Sequence, residues 1–205
     1  MRRMIVLLLA VFSLAGCASL NDLDRAVAAY AGGNLMFDTD KVEGSLNPAV
    51  QFGLNCVATG DRLGLWFDMG LFLPMALPYT GGRLGSKEVD SMFGINMKVG
   101  PSVKVFDDGG RILAVAPYFN FMMANAAKST LYVDSSMTVT SFGAGASLTM
   151  YHTFGEMFSL MAGIDLGMDF YQKSSESIND RELWEVSGNE IMLVVVPKLG
   201  IGMRL

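Results

Sequence analysis

The chain has 205 residues, enough for one domain with a short leader. It is 51% hydrophobic and only 17% charged. In a soluble domain about a quarter of the residues are usually charged. The net charge of −5 disfavours nucleic acid, which needs a basic surface. The 23 glycines and 13 phenylalanines, beside a single histidine, favour a sheet protein with little equipment for acid–base chemistry.

The N-terminus reads as an export signal. Arg2 and Arg3 precede an apolar run over residues 4–14, which is shorter than the roughly 20 residues that a transmembrane helix needs. Leu14-Ala15-Gly16-Cys17 follows, and it resembles a bacterial lipobox. Two processing routes stay open: cleavage before Cys17 with acylation of that cysteine, or ordinary cleavage after Ala18. Residues 1–18 are therefore predicted to be a signal peptide, and residues 19–205 the mature domain.

Beyond the leader, apolar residues alternate with small or polar ones. A period of two separates the two sets onto opposite faces of a strand. Residues 158–170 show this most clearly, because Leu160 and Leu166 belong to one set and Asp165 and Asp169 to the other. In chain order, the alternating segments are residues 27–37, 50–56, 63–73, 93–105, 113–123, 142–151, 158–170 and 191–205. The pattern predicts about eight strands.

The connections alternate between short and long. Short turns are expected at residues 58–61, 107–110 and 153–156, and Asp107-Asp108-Gly109-Gly110 is a strong hairpin signal because glycine and aspartate tolerate positive φ. The longer polar segments are residues 38–47, 74–90, 125–136 and 172–190. Outer-membrane barrels have short periplasmic turns and long outer loops. The sequence therefore predicts an all-β, antiparallel up-and-down transmembrane β-barrel over residues 19–205, with both termini periplasmic.

Periodicity alone leaves the direction of the apolar face open. It faces lipid in a membrane barrel, but it faces the core in a soluble lipocalin-like barrel tethered through Cys17. The opposite face is rich in Gly, Ser, Asn and Asp, whereas a soluble barrel exposes many charges. Five phenylalanines of the apolar set also lie near strand ends beside long segments, where an aromatic girdle belongs: Phe37, Phe93, Phe121, Phe142 and Phe170. These observations favour an apolar exterior.

The last eight residues resemble the insertion signal of outer-membrane barrels. That signal has a polar residue, a glycine two places on, and hydrophobic residues at the third-last and last positions. Lys198, Gly200, Met203 and Leu205 match in order, although the last residue is commonly aromatic. The chain as a whole resembles the small eight-stranded barrels such as the OmpA transmembrane domain, OmpX and OmpW. The resemblance implies a bacterial outer membrane, with its lipid as surroundings and the barrel-assembly machinery as a partner during insertion.

Four ionisable residues of the inward set lie near mid-membrane depth: Asp68, Lys98, Asp165 and Lys198. Neighbouring strands are expected to bring Asp68 towards Lys98, and Asp165 towards Lys198. A compensated charge network that fills the lumen is favoured over a gate or ion path, because unpaired buried charge is costly. Lys104, Asp169 and Arg204 are expected to face the lumen as well.

No motif for catalysis, metal, phosphate or cofactor binding is recognised, and His152 is expected at a short turn. Trp184, in the last long segment, either contacts a partner or packs on the barrel rim. Three interpretations follow. The first is a non-enzymatic barrel, structural or meeting an extracellular or host ligand through its long loops. The second is a narrow OmpW-like channel for small or apolar molecules. The third is the lipid-anchored soluble binding barrel.

Overall fold

Long antiparallel strands make up nearly all of the structure. The computed structural model describes residues 24–39, 46–79, 82–179, 181–189 and 191–205; the predicted leader with Cys17 lies outside them. In chain order the described strands are β1 (Asp24–Asp38), β2 (Leu46–Thr59), β3 (Leu63–Pro74), β4 (Ala76–Tyr79), β5 (Gly82–Gly85), β6 (Ser91–Asp107), β7 (Arg111–Ser129), β8 (Asp134–Phe154), β9 (Phe158–Ile178), β10 (Arg181–Gly188) and β11 (Met192–Arg204), with a single-turn 3-10 helix at Ser86–Glu88. Within this described part, no helix is both long and apolar enough to cross a bilayer.

Eight of these strands close into a barrel. Going round it, the order is β1, β2, β3, β6, β7, β8, β9 and β11, and β11 pairs back with β1. Closure gives each of the eight a hydrogen-bonded neighbour on both edges, which is what a sheet needs inside hydrocarbon. The predicted up-and-down barrel of about eight strands is confirmed.

The barrel wall has an apolar outer face and a polar inner face, the reverse of a soluble protein. Leu63, Phe119 and Leu199 point outward and are 71%, 72% and 71% exposed. Asp68 and Lys98 point inward and are 0% and 1% exposed. The predicted apolar exterior is therefore confirmed. The soluble lipocalin-like alternative is wrong, because it requires a polar exterior around an apolar core.

Tight turns join the strands at one rim, here named the turn end. At the predicted hairpin, Gly109 has φ +83°, a left-handed conformation that glycine adopts without strain. The Asp107 Oδ1 accepts a hydrogen bond from the Gly109 N–H at 3.0 Å, and the Asp108 Oδ1 accepts one from the Arg111 N–H at 2.7 Å. The opposite rim is named the loop end.

At the loop end the prediction of long irregular loops is wrong for two segments. β7 and β8 continue to Ser129 and Asp134, leaving only residues 130–133 as a turn. β9 continues to Ile178, and β10 folds back along it. Beyond the membrane the outer face no longer has to be apolar, so the alternation weakens although the strands go on pairing.

Candidate functional site

The centre of the lumen holds a buried ion cluster. The Lys198 Nζ lies 3.0 Å from Asp68 Oδ2 and 2.8 Å from Asp165 Oδ1. The Lys98 Nζ lies 2.6 Å from Asp165 Oδ2. Two carboxylates and two ammonium groups thus compensate one another, with side chains at most 1% exposed. These four residues are called the central ion cluster below.

The strands bring these residues together differently from the expected pairing. Asp68 and Lys98 are cross-strand partners on β3 and β6, yet the Lys98 ammonium reaches Asp165 on β9. Lys198 meets Asp165 as expected, and it also bridges to Asp68. The reason is geometric: an eight-stranded barrel is narrow enough for a lysine to span its lumen. Its partner is then set by the far wall as much as by the adjacent strand.

Neutral donors complete the shell of Asp68. The Tyr30 hydroxyl donates to its Oδ1 at 2.8 Å, and the Asn55 amide donates to its Oδ2 at 2.9 Å. The Tyr151 hydroxyl in turn donates to the Asn55 Oδ1 at 2.6 Å. Asp68 therefore sits in a hydrogen-bonded cage, which is how a buried carboxylate is kept stable.

Aromatic rings lie close to both ammonium groups. The Lys198 Nζ lies 5.2 Å from the ring centroid of Tyr30 and 5.1 Å from that of Trp66. The Lys98 Nζ lies 5.5 Å from the Tyr118 ring. Trp66 and Tyr118 stack on each other with centroids 5.4 Å apart. These separations are in the range of cation–π interactions. The rings therefore occupy space in the lumen beside the ammonium groups.

These lumen aromatics were missed in the sequence, although their position in the inward set could have identified them. Inward glycines suggest room for a conduit, but rings occupy that room. A Cβ on Gly145 or Gly167 would lie 2.6 Å from the Tyr118 hydroxyl. One on Gly53 would lie 2.6 Å from the Tyr30 hydroxyl. The small residues on one strand thus make space for a ring from another.

Apolar clusters lie in the lumen on both sides of the central ion cluster. Towards the turn end, Trp66, Tyr151 and Met161 pack with alanines of β1 and β7. Towards the loop end, Leu77 of β4 is completely buried among inward residues of the barrel. That loop-end cluster includes Met36, Phe72, Met122, Val139, Met192 and Val196. The central ion cluster therefore lies between two apolar clusters, and buried polar side chains accompany both of them, such as Ser102 towards the turn end and Ser174 towards the loop end.

A second ionic group sits at the turn end. The Lys104 Nζ lies 2.9 Å from Asp24 and 3.1 Å from Asp107. Arg204 pairs with the same two carboxylates at 3.1 and 3.4 Å. Burial opposes ionisation of Asp24, but the hydrogen bonds from Lys104 and Arg204 outweigh it and hold the pKa of Asp24 below its ordinary value. These charges join the first and last barrel strands to the β6–β7 turn.

The remaining predicted residues are placed as follows. All five girdle phenylalanines belong to the outward-facing set, and the rings of Phe121 and Phe142 lie 5.3 Å apart. Of the insertion-signal residues, Lys198 faces inward, whereas Met203 and Leu205 are exposed at the end of β11. Their roles at the membrane interface and in assembly remain predictions.

His152 lies in β8, not in a turn. Its ring meets Phe154 edge-on with centroids 4.3 Å apart. Trp184 lies over the loop-end cluster, where its indole donates to Glu176 at 2.6 Å and its ring lies 6.3 Å from Tyr79. Among the described residues, no group of three or more His, Cys, Asp or Glu could hold a metal ion. In the central ion cluster each carboxylate already has a cationic partner within 3.0 Å.

No family model matches the chain, and no curated protein matches it. Among solved structures it aligns with a major outer membrane protein from Thermus thermophilus, at 16% identity and TM-score 0.49, over 88% of this chain and 99% of that one. It aligns with Ail, the attachment invasion locus protein of Yersinia pestis, at 14% identity and TM-score 0.49, over 91% and 100% of the two chains. Neisserial surface protein A aligns at 12% identity and TM-score 0.47, over 88% and 97%. The fold assignment rests on the barrel itself: its closed order of eight strands, apolar outside and polar at its centre, is that of a small outer-membrane β-barrel.

Proposed function

We propose that the protein is an integral outer-membrane barrel that works without enzymatic chemistry, as a structural or surface-interaction protein of the envelope. One observation carries the surface-interaction part. Leu131 and Tyr132, at the tip of the β7–β8 hairpin, are 93% and 89% exposed. Large apolar side chains presented together at a protruding tip are typical of contact sites.

The hairpin extends beyond the part of the barrel that faces lipid. β7 has 19 residues and β8 has 21, whereas crossing a membrane takes about 9–11. The outer face of β8 changes from apolar to polar at Phe142, because the next outward residues towards the tip are Thr140, Thr138 and Ser136. The strand beyond Phe142 is roughly 25 Å long. This length supports a tip that reaches clear of the membrane surface.

Hydrogen bonds also hold the backbone of the tip. The Thr130 N–H donates to the Val133 carbonyl at 2.9 Å, and the Val133 N–H donates to the Thr130 hydroxyl at 3.1 Å. A turn held in this way has less backbone entropy to lose on binding. Such preorganisation supports a contact role for Leu131 and Tyr132, with an extracellular or host ligand as the partner.

The proposal places the loop end outside the cell and both termini in the periplasm, because short turns face the periplasm in barrels of this type. Leu131→Cys in a Cys56→Ser background tests this placement on intact cells with a membrane-impermeant maleimide. We expect labelling without lysis. Labelling that requires broken cells would contradict the orientation.

Site-specific photo-crosslinking tests the contact role. A photo-reactive residue at Tyr132 is expected to give discrete protein adducts in cells that meet the partner. The same residue at Phe119, which is also exposed but lies on the lipid-facing wall, is the control and should give none. Adducts should fall when Leu131→Ser is added. Equal adducts at both sites, or none at Tyr132, would contradict surface interaction and leave a structural barrel.

A narrow passage for apolar molecules is the second candidate. It is favoured by the methionines that line the loop-end lumen around Leu77, since methionine packs adaptably around varied apolar groups. Fluorescence titration of the detergent-folded protein with 1-N-phenylnaphthylamine tests it. Saturable binding that increases in Leu77→Ala would support a passage plugged by β4, whereas no binding to either protein would eliminate it.

A further inference from the structure

A groove lies on the lipid-facing wall of the barrel. It has a volume of about 860 Å³ and mainly apolar walls, which is within the size range of small-molecule sites. It runs across β8, β9, β11 and β1 in the half of the barrel nearer the turn end. It is separate from the lumen and from the β7–β8 tip.

Small side chains between large ones create the depression. Met150, Ala162, Leu199 and Ala31 are successive cross-strand neighbours on the four strands. Met150 and Leu199 are 42% and 71% exposed, so they stand out from the wall. Ala162 lies between them, and on its own strand Leu160 stands out beside it at 44% exposed, so Ala162 is the floor of a recess. Part of a flexible acyl chain fits such a recess, because it can follow a bent apolar surface.

A cation lies at the turn-end limit of the groove. Arg111 is the first residue of β7, and it is the cross-strand partner of His152 on β8. Its guanidinium is held by Asp108 at 2.7 Å and lies 5.7 Å from the Phe106 ring. The side chain remains 53% exposed. The guanidinium is thus held at the turn end by a carboxylate that compensates its charge, and part of it stays exposed, while the groove continues along the wall away from the turn end.

We infer that this groove is a binding site for one anionic glycerophospholipid of the leaflet at the turn end. The phosphate lies against Arg111 and one acyl chain lies over Ala162. A lipid has this arrangement of charge and apolar length, and guanidinium suits a phosphate. A second copy of the chain is the other occupant to test against this assignment. The inference rests on the membrane placement of the barrel and is independent of the surface contact.

Native mass spectrometry of the detergent-folded barrel with added phosphatidylglycerol or phosphatidylcholine tests this site. We expect one retained lipid, with phosphatidylglycerol preferred. Ala162→Phe fills the recess and should abolish retention. Ala146→Phe, the same change at an exposed alanine elsewhere on the outer wall, should not. If Ala162→Phe fails to fold, as judged by heat-modifiable mobility, Ala31→Leu takes its place.

The headgroup contact has its own pair of variants. We expect the wild type to retain phosphatidylglycerol about 2- to 5-fold better than phosphatidylcholine, the size of an exposed charge contact. Arg111→Gln should remove this difference. Asp108→Asn frees the guanidinium and should keep or increase that preference. A purely structural role for the Asp108–Arg111 pair would make both variants behave alike. Equal retention by the Ala162 and Ala146 variants would overturn the lipid site. A dimer that disappears only in Ala162→Phe would assign the groove to a second copy and overturn it as well.

Discussion

The ammonium of Lys198 lies 3.0 Å from the carboxylate of Asp68, from which it is 130 residues distant in the chain. Both side chains are completely buried. The contact joins the last barrel strand to the third across the lumen, and Lys198 also holds Asp165 at 2.8 Å. One lysine therefore links β3, β9 and β11 inside the closed barrel.

Removing that lysine should destabilise the barrel strongly. Lys198→Met keeps most of the side-chain length but leaves two buried carboxylates with one cation. Breaking a buried pair from one side typically costs about 3–5 kcal/mol. Urea unfolding in lipid vesicles measures the loss. Lys173→Met is the control, because its pair with Glu185 is 44% and 46% exposed and should matter little. Equal effects of the two variants would argue against a stabilising central ion cluster.

The lumen should not conduct ions unless an aromatic layer is removed. We expect the wild-type barrel to give no stepwise current in planar bilayers, because Tyr118 fills the space over Gly145 and Gly167. Tyr118→Ala should open a water-filled gap beside Lys98 and produce current steps. Phe119→Ala alters the adjacent residue on the lipid-facing side and should stay silent. Steady wild-type conductance of similar size would show that the lumen is open.

The turn-end charges should contribute stability that depends on pH. The pKa of Asp24 in the folded protein lies below its ordinary value of 3.8, because Lys104 and Arg204 outweigh the effect of burial. A lowered pKa means that the contribution is fully present above pH 3.8 and is lost as the pH falls through the folded pKa. The stability difference between wild type and Asp24→Asn should be constant from about pH 5 to 8 and shrink below about pH 4. Thermal unfolding at these pH values checks it, and a difference that grows in acid would contradict the pairing.

The predicted insertion signal should act in assembly and not in stability. Leu205 is 62% exposed and follows β11, so Leu205→Asp should refold from urea into detergent like the wild type. In cells the same variant should accumulate unassembled, because the last hydrophobic position of the signal is lost. Leu205→Phe, which restores the commoner aromatic residue, should assemble at least as well as wild type. A refolding defect equal to the defect in cells would assign Leu205 a structural role instead.

The strands of the barrel wall and the direction of their side chains could be predicted from the sequence. Alternation is enforced wherever one face meets lipid and the other meets the lumen, so Leu160 and Asp165 reveal their faces without any knowledge of neighbours. Beyond Phe142 the outer face meets water, and Thr138 and Thr140 are compatible with a loop as well as with a strand. The strand extensions at the loop end were missed for that reason.

The contacts inside the lumen were less predictable. Register explains why Asp68 lies opposite Lys98. A lysine that spans a narrow lumen, however, contacts a carboxylate on the far side, and which carboxylate it reaches depends on where Tyr118 and Trp66 pack. The rings themselves were visible as large aromatics in the inward set. They carry no charge, however, so a search for ionisable groups passes over them.

Heat-modifiable electrophoretic mobility tests the central claim most directly, because a closed transmembrane barrel stays folded in detergent until it is boiled. Residues 19–205, refolded from urea into detergent, should run as a compact species that shifts on boiling, and the same chain should aggregate in buffer without detergent. A chain that shows no shift, or that stays monomeric and folded in plain buffer, would contradict the membrane barrel.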